Sequence, residues 1–128
     1  MQMILAVGVG GAIGAVSRYL MALAIFRALG PGFPWGTLAI NVLGSLLMGV
    51  LAELLALRFS LPHPMQAFFL TGVLGGFTTF STFSLDAVTL MARGQSGAAF
   101  LYIGGSVILS LAALFAGLAI TRSLISGL

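Results

Sequence analysis

In the tract TGVLGGFTTFSTFS, residues 71–84, the hydroxyls of Thr78, Thr79, Ser81, Thr82 and Ser84 and the pair Gly75-Gly76 interrupt an otherwise apolar run. A hydroxyl both donates and accepts, so a row of them can replace part of the water around a small ion. From Thr79 the order T-F-S-T-F-S sets Phe80 and Phe83 about 60° apart on one side of a helix, each flanked by hydroxyls. A phenyl ring has a positive edge, so ring edges beside hydroxyl or amide donors make a weakly hydrated lining that favours an anion. Asn41 offers such a donor. A cation path would use carboxylates, yet the only two acids, Glu53 and Asp86, lie toward helix ends. Gly75-Gly76 is also the natural place for a helix break, and the carbonyls freed nearby, including those of Gly75 and Thr78, suit a small hard cation.

Polar residues recur at helical spacing elsewhere. Asn41, Ser45 and Gly49 fall at four-residue intervals, as do Tyr102, Ser106 and Ser110, and Gly10 and Gly14 make a GxxxG pair. Any one stripe also reads as packing between helices, and two phenylalanines alone also read as core. Two hydroxyl or amide stripes beside a hydroxyl-rich break favour a conduction path.

These residues need elements that hold them in a membrane. The chain has 128 residues, 60% hydrophobic and 5% charged, with a mean hydropathy of +1.22, far from the roughly 25% charge of a soluble domain. Four apolar blocks span residues 3–26, 35–57, 65–91 and 96–120, each near the roughly 20 residues that cross a bilayer. Gly30-Pro31-Gly32, Pro62-His63-Pro64 and Arg93-Gly94-Gln95 separate them. Residues 65–91 would make a straight helix of about 40 Å, longer than the hydrocarbon core, so that span must tilt, kink or break. The first block lacks a positive flank and an obvious small-residue cleavage site, so it reads as a span and not a signal peptide. The expected fold is all-α, one four-helix unit over residues 1–128.

The acid-poor charge of +3 includes no basic cluster, so nucleic acid is not an expected partner, and the absence of cysteine excludes disulfides and thiolate metal sites. Arg58 and Arg122 would lie on one side of the membrane and Arg27 and Arg93 on the other, with Arg18 inside the first helix. So small a bias motivates dual topology, in which two copies pair antiparallel about an axis in the membrane plane. Arg27, Arg58, Arg93 and Arg122 read as interfacial anchors, Glu53 as a snorkelling helix-end residue, and His63 as a loop residue without a metal partner.

GTLAIN (36–41), GGAIGAVSRY (10–19) and above all GGFTTFSTFS (75–84) closely resemble the Fluc family of fluoride channels, also called CrcB proteins, and the resemblance spans the whole chain. It implies a dual-topology antiparallel homodimer with two pores that exports fluoride passively through the cell membrane of a microbe. It implies that Asn41, Phe80 and Phe83 face the fluoride path, with Tyr102, Ser110, Ser81, Thr82 and Ser84 among the polar-track positions. It further implies that the carbonyls of Gly75 and Thr78, doubled across the dimer axis, hold a structural sodium ion, and that Arg18 stands near an aqueous vestibule. The chain departs from the pattern at Asp86, where glutamate is commoner, and at Leu114, where relatives carry threonine.

Three rival classes have their own signatures. A drug/proton antiporter of this size needs a membrane-embedded carboxylate, and the first helix has none. A structural helper subunit would tolerate apolar replacement of residues 78–84. An enzyme would need a base beside one of the many hydroxyls, and the lone histidine sits in a loop.

Overall fold

A computed structural model of the protein describes residues 1–128, which form helices joined by short turns. Helix α1 is Gln2–Leu29 and α2 is Trp35–Leu57. The third span, His63–Ala92, is built from α3 (His63–Gln66), a π-helical segment (Ala67–Leu74), α4 (Gly75–Phe77) and α5 (Phe80–Ala92). Helix α6, Ser96–Ser126, completes four spans long and apolar enough to cross a membrane. The chain is therefore a multi-pass, all-helical membrane protein. The first and last helices outrun the expected 26 and 120, because Arg27 and Arg122 continue the helix instead of ending it. Gly30 (φ 79°) and Gly94 (φ 75°) turn the chain into α2 and α6, in a region of backbone space that side chains disfavour.

The third span bends, though not where its glycines suggest. Gly75 and Gly76 are helical, and the two extended residues are Thr78 (φ −79°, ψ 157°) and Thr79 (φ −151°, ψ 117°). Threonine is β-branched and tolerates extended backbone well. Thr79 also caps α5, its hydroxyl accepting the amide of Thr82 at 3.2 Å. Gly76 serves a different purpose. A Cβ on Gly76 would meet the carbonyl of Gly11 at 2.6 Å, and one on Gly14 would overlap the carbonyl of Val73. Gly10 similarly abuts Phe68 and Gly72, so α1 and the third span pack backbone on backbone.

Helices α2 and α6 approach each other in the same way. Gly49 lies on the Leu114 carbonyl and Gly117 on that of Leu46. At the far end of this seam Glu53 is buried and accepts Nε–H of Arg122 at 2.6 Å. Glu53 thus does not snorkel to water, and Arg122 is its partner as well as a helix-end residue. Arg122→Met would strand a buried carboxylate, whereas Glu53→Gln keeps an acceptor for Arg122. The expected result is a lower thermal midpoint for Arg122→Met than for Glu53→Gln in detergent; the reverse order would show that the ion pair does not hold the seam.

Candidate ion pathway

Asn41 stands nearly two turns inside α2 and reaches the bend of the third span. Its Oδ1 accepts the amide of Thr79 at 2.8 Å, and its Nδ2 donates to the Thr79 carbonyl at 3.0 Å. One carboxamide thereby satisfies both backbone groups of an extended residue, as a neighbouring strand would. A second N–H of Nδ2 remains for another acceptor.

The same two diversions release carbonyls. In a continuous helix the Gly75 carbonyl would take the amide of Thr79, and the Thr78 carbonyl that of Thr82. Those amides go instead to Asn41 and to the Thr79 hydroxyl, and neither carbonyl accepts a backbone bond. The carbonyl of Gly76 has also lost its helical partner and accepts Nε–H of Arg18 at 3.1 Å.

A cavity of about 320 Å³ opens beside the bend, lined in part by Asn41, Ser45, Phe80, Phe83, Ser106 and Ser110. Asn41 and Ser45 from the α2 stripe and Ser106 and Ser110 from the α6 stripe line it together, which joins two patterns more than fifty residues apart in sequence. The Phe80 and Phe83 rings lie 5.6 Å apart with a 46° tilt, and Phe80 is 79% exposed. Ser106 is buried, and its hydroxyl has no hydrogen-bond partner in the chain. Its place in the stripe with Tyr102 and Ser110 was the signal in the sequence, though the hydroxyls of 81–84 stand out more. Thr78 also lines the cavity, and Leu114 supplies an apolar wall beside Ser110. No residue lining the cavity is ionisable.

Other expected positions fall outside that lining. Tyr102 is fully buried, lies 5.2 Å from the Phe83 ring, and donates its hydroxyl to Asp86 at 3.1 Å. The Ser84 hydroxyl donates to the carbonyl of Phe80 one turn back, and Ser81 and Thr82 bond to the Thr79 hydroxyl. The Ser84 donor is thus used within α5, whereas Thr82 accepts from the Thr79 hydroxyl and keeps its own O–H free. Arg18, half-buried, is tied to the bend.

This arrangement has relatives. The family model described as CrcB-like protein, Camphor Resistance (CrcB), matches residues 5–118. A protein of Agrobacterium fabrum named fluoride-specific ion channel FluC is 56% identical over 118 residues, covering 92% of this chain and 94% of its own. Proteins of the same name from Nitrobacter winogradskyi and Rhizobium meliloti are 55% and 51% identical, covering 93% and 98% of this chain and 94% and 100% of theirs. Matched along nearly its whole length, the chain belongs to the CrcB family, whose named relatives are ion channels and not enzymes.

Proposed function

We propose that the protein is a fluoride channel that lets the anion leave the cell passively through the inner or plasma membrane. The observation that carries this reading is the Ser106 hydroxyl, buried without a partner in a cavity it shares with Asn41, Ser110 and two phenyl rings. A buried donor left unpaired costs about 1–3 kcal/mol, a cost that a passing anion relieves. Bare anions are costly to bury, so their water must be replaced stepwise by donors and ring edges, and such groups line this cavity. A lining without ionisable groups supports conduction over proton-coupled exchange. The names of the relatives supply fluoride as the anion.

In this reading two copies pair antiparallel and form two pores. The near-balance of arginines supports insertion in both orientations. The exposed Phe80 beside the cavity supports a second copy that covers the ring and completes the wall. A structural sodium ion at the dimer axis would be held by the Gly75 and Thr78 carbonyls, oxygen donors without a backbone partner that match the chemistry of a hard cation. Bound there, it would supply a fixed positive charge that favours the anion nearby.

The test is anion efflux from proteoliposomes, comparing fluoride with chloride, with sodium present or removed. Fluoride efflux without chloride efflux, unchanged by a pH gradient, is expected; equal rates for both anions would refute the assignment. Phe80→Ile keeps an apolar side chain but removes the ring edge. Fluoride flux should fall by about 10-fold or more while the dimer stays intact by gel filtration. Unchanged flux would remove Phe80 from the path.

A further inference from the structure

Arg18 lies in the body of α1, sixteen residues from its first residue and eleven from its last, where a guanidinium costs about 2.5–3.5 kcal/mol to insert. No carboxylate bonds to it. Its one recorded partner is the Gly76 carbonyl, at 3.1 Å from Nε, across 58 residues of sequence. That carbonyl needs a partner because extended Thr78 and Thr79 carry the amide of Phe80 out of reach. Helix α1 comes close enough to supply one because Gly11 and Gly76 meet backbone to backbone.

We infer that Arg18 is a positioning residue for the conduction path, acting through the Nε–H bond to Gly76 that fixes the near side of the bend. Asn41 grips Thr79 from α2, and Arg18 grips Gly76 from α1. Phe80 begins the helix that follows, so the ring beside the cavity is aimed by these two grips together. A vestibule role would use the charge and the terminal nitrogens, whereas this role uses one neutral property, a donor at the δ-plus-one atom.

Side-chain lengths allow the two to be separated. Glutamine carries an N–H at the same bond count as Nε of arginine and has no charge. Methionine has similar length with neither donor nor charge. Lysine keeps the charge but places its nitrogen one bond further out. The inference rests on the channel reading above, and wild-type flux tests that reading separately. In liposomes that pass fluoride with the wild-type protein, Arg18→Gln should conduct within about 3-fold of wild type. Arg18→Met should fall by about 10-fold or more, and Arg18→Lys should lie below Arg18→Gln. Full flux in Arg18→Met, or Arg18→Lys above Arg18→Gln, overturns the inference and returns Arg18 to an electrostatic role. If Arg18→Met does not assemble, the order of the glutamine and lysine variants decides alone. A wild-type protein that passes no fluoride would instead overturn the channel reading.

Discussion

Asn41→Asp is expected to reduce fluoride flux in liposomes by about 100-fold or more while leaving a monodisperse protein. The substitution keeps Oδ1, which accepts the Thr79 amide at 2.8 Å, but turns the Nδ2 donor into an oxygen facing the Thr79 carbonyl at 3.0 Å. Two acceptors then oppose each other beside the bend. The carboxylate also brings a negative charge into the lining of an anion path. At about 5 Å and an effective dielectric near 20, repulsion between unit charges is about 3 kcal/mol, or about two orders of magnitude in occupancy. Flux equal to wild type would show both that Asn41 does not hold the bend and that the anion passes elsewhere.

Gly14→Ala should have the largest effect on assembly. A Cβ at this position overlaps the Val73 carbonyl and comes within 2.8 Å of the Phe77 amide, and neither is a side chain that can rotate away. Overpacking costs about 1–3 kcal/mol where side chains can yield, and more against backbone. Helix α1 would be pushed off the third span, taking the Arg18 bond with it. The expected result is a thermal midpoint lowered by about 5 °C or more, or loss of folded protein. Gly8→Ala, with nothing within 4 Å of its Cβ, is the matched control. Equal stability of the two variants would mean that α1 does not pack as described.

The contrast between those glycines shows what one sequence can and cannot reveal. The four spans were legible because hydropathy is a local sum, and so were the stripes of α2 and α6, whose members share a face by spacing alone. That members of the two stripes converge on one cavity follows only from the fold, which brings Ser45 and Ser106 into the same lining. The bend was misplaced by a few residues. Glycine weakens isolated helices, so Gly75-Gly76 suggests the break, yet both are helical and Gly76 must stay bare for α1 to approach. The force that extends Thr79 comes from Asn41, 38 residues away, and no local propensity contains it. One local signal was present, the cap from Thr79 to Thr82 at the start of α5. The wide winding of Ala67–Leu74 has no sequence signature that we recognise. The arginines read in sequence as charges on one side of the membrane or the other, whereas Arg18 and Arg122 bond to partners 58 and 69 residues distant. Of the hydroxyls at 81–84, Ser84 donates to the backbone of its own helix, while Ser81 and Thr82 meet the Thr79 hydroxyl, a local network that spacing alone does not reveal.

The carbonyls of Gly75 and Thr78, left without amides by the bend, bear on how strongly this face resists separation from whatever covers it. In a bilayer, apolar side chains gain nothing by leaving lipid for protein, so oily surface alone does not hold two helical bundles together. A carbonyl facing hydrocarbon does favour association, at several kcal/mol for each unsatisfied group. Each 1.4 kcal/mol so gained lowers the separated fraction about tenfold. Cohesion at this face would then be set by a few backbone atoms, and dilution into excess lipid would be resisted by polarity instead of by contact area.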